Sequence, residues 1–93
     1  MIYAVHYDLK APGRKYAGLY DAIKGCGDWW HYLGSTWLLE TQLKADAIWR
    51  RLAPHVDEDD FVLVIGVTAV CQGWLPKDAW TWIKNRFASN ARD

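Results

Sequence analysis

The order in which strand-like and helix-like periodicities follow one another restricts the fold of this chain more than any other feature of its sequence. Residues 2–8 alternate between two sets of side chains, which predicts a strand. Apolar residues then recur at helical spacing from Arg14 to Lys24. Aromatic and β-branched residues on both sides of Gly34-Ser35 predict a hairpin made of the strands Trp29–Leu33 and Thr36–Thr41.

The second half of the chain predicts a helix, a strand and a further helix. Leu43–Ala53 again has apolar residues at helical spacing, with Trp49 on the predicted core face. Phe61–Val67 is a continuous apolar run and predicts a strand without a solvated face, because a half-solvated strand would alternate. A C-terminal helix follows at about residues 75–87, with Pro76 in its first turn.

The order β-α-β-β-α-β is that of a ferredoxin-like split βαβ unit, in which one antiparallel sheet carries both helices on a single face. We therefore expect an α+β fold, a ferredoxin-like βαββαβ sandwich with an additional C-terminal helix. It forms a single domain over residues 1–88, with a polar tail at 89–93. We also expect the second face of the sheet to be covered, by the C-terminal segment or by a second subunit.

Composition restricts the partners that the chain can have. Eleven Lys and Arg residues balance eleven Asp and Glu residues, which excludes a protein that coats nucleic acid through its overall charge. The sequence shows no membrane-spanning run and no signal segment, so we expect a cytoplasmic protein without membrane contact. Seven tryptophans are more than a core of this size hides easily. We assign Trp74 and Trp82, which lie outside the βαββαβ unit, to contacts with a partner or second subunit.

Short motifs connect these elements to a known family. The first strand ends in Tyr7-Asp8, and the hairpin carries Ser35-Thr36-Trp37. With the predicted element order, the chain resembles the small ferredoxin-fold subunit of the CRISPR adaptation complex and its VapD-type relatives. It is more similar still to the small bacterial proteins labelled "SinR family", through the pairs and runs Pro12-Gly13, Trp29-Trp-His-Tyr32 and Gly73-Trp-Leu-Pro76. The resemblance covers about residues 1–67, and the SinR-like pattern continues to residue 87.

The resemblance implies a homodimer that binds nucleic acid or a nucleotide. Asp8 matches the metal-binding aspartate of the nuclease members, and Ser35 and Trp37 match the hairpin serine and aromatic residue. We expect the nucleic acid or nucleotide to contact these two residues together with Tyr7, Arg14, Lys15 and Trp30. An endonuclease or phosphodiesterase of this type would use Asp8 of both subunits to hold one Mg²⁺ beside a phosphate. Other members of the family hold DNA as scaffolds and do not need to cut it.

Each candidate site residue also has a purely structural interpretation. Asp8 is either a metal ligand or an acceptor of hydrogen bonds from the following loop. Arg14 and Lys15, which begin the first helix close to Tyr7 and Asp8, either hold phosphates or are simply solvated. Trp30 either stacks on a base or packs in the core or a subunit contact.

The function therefore has alternatives of different classes. Besides a metal-dependent nuclease, the sequence is compatible with a non-catalytic scaffold or a protein that sequesters a nucleotide at its dimer interface. A third interpretation is an interaction module of the toxin–antitoxin type.

Overall fold

A computed structural model describes residues 1–10 and 16–90 of the chain. Its strands and helices, in chain order, are β1 (Ile2–Asp8), α1 (Ala17–Lys24), β2 (Asp28–Leu33), β3 (Thr36–Glu40), α2 (Ala45–Leu52), a 3-10 turn (Ala53–His55), β4 (Phe61–Gly66) and α3 (Lys77–Asn90). The predicted α+β class is confirmed. Arg14 and Lys15, predicted to begin the first helix, lie outside the described residues.

The four strands form one sheet in the order β2-β3-β1-β4, and every neighbouring pair is antiparallel. β1 is therefore a central strand, whereas β2 and β4 are the edges. Val5 lies between Trp37 of β3 and Val64 of β4, and at the end of β1 Asp8 pairs with Phe61. A bulge or irregularity interrupts the pairing of β2 with β3 between Trp30 and Leu33.

Helices α1 and α2 cover one face of the sheet, which we call the inner face. Tyr3, Val5 and Tyr7 of β1 point toward these helices because alternate residues of a strand share a face. The core between the layers contains fully buried side chains, each worth about 1.5–3 kcal/mol when removed from water. The helical members are Leu19, Ile23, Ile48 and Leu52.

The prediction that Trp49 lies on the core face of α2 is wrong, because 43% of its surface is exposed. Ile48 and Leu52 are both fully buried and lie one turn apart, so the side of α2 that carries them is the side that faces the sheet. Trp49 is rotated about 100° from Ile48 and lies at the border of the buried stripe.

Helix α3 lies on the opposite, outer face of the sheet and covers only part of it. Ile83 and Phe87 border a hollow whose other walls include Leu38 of β3 and the end of β4. On β4, by contrast, Phe61, Leu63 and Ile65 are exposed. The C-terminal segment thus provides part of the expected cover, and the β4 half of the outer face remains open.

Among the described residues, no helix combines the length and the apolar character needed to cross a membrane.

Candidate functional site

Asp8 is the last residue of β1 and lies on the open part of the outer face. Its carboxylate is exposed and forms an ion pair with the ammonium group of Lys10, with Nζ 2.7 Å from Oδ2. Two residues earlier on the same face, Nδ1 of His6 is 2.7 Å from Oγ1 of Thr36. Asp8, His6 and Thr36 thus form a polar row along β1 and β3, directly beside the apolar residues of β4.

The loop after β1 is fastened by a different carboxylate, that of Asp60. Its Oδ1 accepts hydrogen bonds from the backbone N–H of Lys10 at 2.8 Å and from the hydroxyl of Tyr16 at 2.9 Å. Its Oδ2 accepts a hydrogen bond from the backbone N–H of Asp57 at 2.8 Å. The structural role that the sequence suggested for Asp8 is therefore carried out by Asp60. The sequence feature that could have indicated this role is the acidic run at residues 57–60, because an aspartate side chain can close a turn by accepting a backbone N–H a few residues away.

Tyr7, Ser35 and Trp37, on which the family resemblance partly rests, are joined to one another. The indole N–H of Trp37 donates to the hydroxyl of Tyr7 at 3.1 Å, and the backbone N–H of Tyr7 donates to the carbonyl of Ser35 at 3.1 Å. The Tyr7 and Trp37 side chains are buried on the inner face, on the side of the sheet opposite to Asp8. These contacts attach the hairpin turn to the end of β1.

Burial raises the pKa of Tyr7 above its ordinary value of 10.0, because the charged phenolate would lose its hydration. The hydrogen bond from Trp37 acts in the opposite direction, since it stabilises the phenolate, but it is the smaller effect. The phenol of Tyr7 therefore keeps its proton to a higher pH than that of an exposed tyrosine.

Trp37 is the centre of an aromatic cluster on the inner face. The His31 ring stacks on it with a centroid distance of 3.8 Å and an angle of 11°. Tyr20 stacks at 6.1 Å, and Trp29 is tilted against it at 5.2 Å. The ammonium group of Lys24 lies 5.1 Å from the centre of the Trp29 ring, within the range of a cation–π interaction.

The adjacent residues Trp29 and Trp30 point to opposite faces, and only one of them is open to a ligand. Trp30 is 3% exposed on the outer face, whereas Trp29 is 43% exposed on the inner face. Among the described residues, the buried indole nitrogen of Trp30 has no hydrogen-bond partner. A stacking role of the kind proposed for Trp30 would fit Trp29 better.

The two tryptophans assigned to partner contacts differ in their environments. Trp74 lies in the segment before α3 and is 98% exposed. Trp82 is half-buried on α3, with the guanidinium carbon of Arg86 5.4 Å from the centre of its ring.

The residues that could hold a metal ion are few. No group of three or more His, Cys, Asp or Glu side chains suited to a metal ion occurs within residues 1–10 and 16–90. Asp8 offers one exposed carboxylate, and Mg²⁺ typically takes one or two protein carboxylates and completes its shell with water and phosphate oxygens. Asp8 fits such an ion if a second subunit contributes its own Asp8 and the bond to Lys10 is released.

Comparison with known proteins found no family model, curated protein or solved structure that matches this chain.

Proposed function

We propose that this protein is a homodimer that binds nucleic acid or a nucleotide, with Asp8 of both subunits at the site where a phosphate is bound. The observation that carries the proposal is the pairing of Asp8 with Phe61 at the end of β1. Phe61 is the first of three exposed apolar residues on the outer face of β4, with Leu63 and Ile65. We call these three residues the β4 stripe. If a second subunit covers the stripe, both Asp8 carboxylates border the contact.

We further propose that the domain is a ferredoxin-like βαββαβ sandwich of the CRISPR-subunit-like superfamily. The strand order β2-β3-β1-β4 supports this. In this order β3 lies between the two strands of the unit β1-α1-β2, and β1 lies between the two strands of the unit β3-α2-β4, which is the split βαβ arrangement. The packing of α1 and α2 on the same face of the sheet supports it as well. Tyr7-Asp8 at the end of β1 and Ser35 in the hairpin are the motif positions of that family.

The chemistry available to such a dimer follows from its charges. A Mg²⁺ ion held by two Asp8 carboxylates would neutralise phosphate oxygens and orient a water molecule for attack on a phosphodiester. Lys10, released from Asp8 by the metal, would remain nearby as a phosphate-binding cation. Because the net charge of the chain is zero, this recognition would be local to the end of β1.

The dimer can be tested by measuring molecular mass at equilibrium by sedimentation. We expect the wild-type protein to form dimers and Leu63→Lys to be monomeric, because a lysine in the stripe would place a charge in an apolar contact. Arg50→Met is a suitable control on the exposed side of α2. A monomeric wild-type protein would contradict the proposal.

Metal-dependent cleavage can be tested separately with single-stranded RNA, single-stranded DNA and duplex DNA in the presence of Mg²⁺. We expect Asp8→Asn to lower the rate by more than the roughly 10–100-fold that even outer-shell changes cost at metal sites. Asp46→Asn changes a comparably exposed, ion-paired aspartate on α2 and should leave the rate unchanged. Equal rates for the wild-type protein and Asp8→Asn would exclude Asp8 as the metal ligand.

The ion pair between Asp8 and Lys10 favours a second candidate, a dimer that binds a nucleotide without cutting it. Lys10 offsets the charge of the carboxylate at 2.7 Å, and the further N–H donors of its ammonium group would bind a phosphate without a metal. Titration with nucleoside mono- and triphosphates in EDTA distinguishes the two functions. Binding that is weakened by Lys10→Met and is unaffected by EDTA supports the non-catalytic function, and binding that is lost in EDTA contradicts it.

A further inference from the structure

The segment between β4 and α3 holds its largest apolar side chains in water. Residues 67–76 form neither helix nor strand, and within them Val70 is 93% and Trp74 98% exposed. Tryptophan is normally highly buried because its ring offers the largest apolar surface of any side chain. An indole that is almost completely exposed is the arrangement expected of an anchor that a partner covers.

A groove lies between this segment and α3, and Gly73, the chain neighbour of Trp74, is in its wall. Its volume is about 530 Å³, and its walls combine apolar residues of both elements with the polar side chains of Gln72 and Lys84. The apolar members include Ala69, Cys71, Trp80, Ile83 and Phe87. This volume is within the range of about 300–1,000 Å³ that is usual for sites of small organic molecules, so one indole ring fits. A neighbouring hollow shares Cys71, Ile83 and Phe87 with the groove and reaches Gly66, which directly follows the β4 stripe.

We propose that each subunit inserts Trp74 into this groove of the other subunit, so that the two tryptophans are exchanged across a two-fold axis. The inference rests on the homodimer proposed above, and in that homodimer Trp74 is the anchor residue and the groove is the site that receives it. Anchor and groove belong to the same patch of one chain, which is the requirement for a closed, self-complementary interface.

The extent and continuity of the apolar surface favour a second copy as the occupant. The stripe, Val70 and Trp74 together expose on the order of 600 Å² of mainly apolar surface, which, covered as one patch, would be at the upper end for a monomer. It also approaches the roughly 800 Å² per partner of a standard interface. The neighbouring hollow reaches Gly66, the residue that follows Ile65 of the stripe, so one partner placed there would cover the groove and the end of the stripe together.

The first test compares dimer dissociation constants from sedimentation equilibrium for two tryptophan variants. Trp74→Ala should raise the dissociation constant at least about 30-fold, the effect expected for a central interface anchor. Trp49→Ala removes an exposed tryptophan from α2 and should leave the constant unchanged within about twofold. An unchanged constant for Trp74→Ala, with a dimeric wild-type protein, overturns this inference and leaves the homodimer standing.

The second test blocks the groove instead of the anchor. A Cβ at Gly73 would meet no atom within 4 Å, so Gly73→Arg is expected to fold normally and to place a guanidinium group at the groove. Gly73→Arg alone and Trp74→Ala alone should each dimerise weakly. Their mixture should form heterodimers more tightly than either variant forms homodimers, because one intact Trp74 then meets one open groove. A mixture no tighter than the homodimers overturns the exchange.

The third test uses Cys71, an exposed thiol in the wall of the groove, as a reporter. Its rate of reaction with a maleimide should fall as the wild-type protein is concentrated through its dimerisation range. In Trp74→Ala the rate should stay high at the same concentrations. Slow reaction at all wild-type concentrations, with fast reaction in Trp74→Ala, would mean that Trp74 fills the groove of its own chain and would overturn the exchange. A wild-type protein that is monomeric throughout overturns the inference together with the homodimer.

Discussion

At the scale of single residues, Tyr7 and Trp37 show how a recognisable motif can serve the fold as well as a site. Tyr7 precedes the exposed Asp8 but points to the opposite face, where its hydroxyl accepts the indole N–H of Trp37. The Trp37 ring is then held between Tyr20 and His31. One residue of the Tyr-Asp pair therefore holds the hairpin, and the other is left on the open face beside the β4 stripe.

The raised pKa of Tyr7 predicts how stability depends on pH. In the unfolded chain the phenol loses its proton near its ordinary pKa of 10.0, whereas in the folded protein burial keeps it protonated to higher pH. The contribution of Tyr7 to the free energy of unfolding is therefore fully present below pH 10 and is lost as the pH rises through the raised value. Urea unfolding at a series of pH values should show a steeper fall above pH 10 for the wild-type protein than for Tyr7→Phe.

At pH 7 the same substitution should cost about 1 kcal/mol, because the buried indole N–H of Trp37 loses its acceptor. Tyr32→Phe is the matched control, since the Tyr32 side chain is exposed and its loss should change neither the pH dependence nor the stability at pH 7. Identical pH profiles for the wild-type protein and Tyr7→Phe would show that Tyr7 ionises alike in both states.

Residue patterns predicted which side chains share a face but not which face is closed. Alternation placed Trp29 and Trp30 on opposite sides of the sheet, as found. Trp30 lies on the face of β2 that α3 packs against, and α3 is more than forty residues away in the chain. Likewise, the loop after β1 is fastened by Asp60 and not by Asp8, through a tertiary contact that spacing cannot show.

At the scale of elements, Arg86 attaches α3 to the hairpin. Its guanidinium group lies 3.4 Å from a carboxylate oxygen of Asp28 and 3.8 Å from one of Glu40. Asp28 and Glu40 are register partners at the ends of β2 and β3, so without a cation two like charges would face each other. The side chain of Arg86 is also only 35% exposed, which protects these ion pairs from solvent better than a fully exposed pair.

We therefore expect Arg86→Met to lower the free energy of unfolding by about 1–2 kcal/mol. Hydrogen exchange should accelerate in α3 before it does in β1. Arg50→Met is the matched control, because Arg50 and Asp46 are 3.3 Å apart but 73% and 75% exposed, and such a pair contributes at most about 0.5 kcal/mol. Equal losses in both variants would show that Arg86 does not fasten α3.

The order of strands and helices was predictable from the sequence, because the spacing of apolar residues that distinguishes a strand from a helix is a local property. The residues at which each element begins and ends were harder to predict. The predicted helix Leu43–Ala53 is the helix Ala45–Leu52 in the structure, since Lys44 is extended and Pro54 turns the chain into a 3-10 turn. The C-terminal helix begins at Lys77, and the carbonyl of Pro76 accepts hydrogen bonds from the backbone N–H groups of Ala79 and Trp80. Apolar residues in β4 indicated cover on both faces, but which element supplies it on the outer face depends on the packing of the whole chain.

At the scale of the whole molecule, the two faces of the sheet are covered to different extents. The inner face is closed by two helices over a continuous core, whereas the outer face is closed by α3 on one side and open along β4. β4 is also an edge strand, and its sequence has neither the proline nor the charged side chains with which edges are commonly protected. Both properties of β4 are expected of a strand that is covered in an assembly.

A protein that unfolds from a dimer to two separate chains has a stability that depends on its concentration. We expect the apparent free energy of unfolding to rise by about 1.4 kcal/mol for each tenfold increase in protein concentration. Thermal or urea unfolding over a roughly hundredfold range of concentration, followed by circular dichroism, measures this dependence. Leu63→Lys should have a transition midpoint that does not change with concentration, because its monomer unfolds alone.

Comparing the wild-type protein with Leu63→Lys also distinguishes an effect on the subunit contact from an effect on the stability of each chain. Leu63 is exposed at the sheet edge, so in an isolated monomer its replacement by lysine should change stability by no more than about 0.5 kcal/mol. At low concentration, where both proteins are monomeric, the wild-type protein and Leu63→Lys should therefore unfold at nearly the same midpoint and diverge only as the concentration rises. A constant difference at every concentration would instead mean that Leu63 stabilises its own chain, and the β4 stripe would then be an ordinary exposed edge and not a subunit contact.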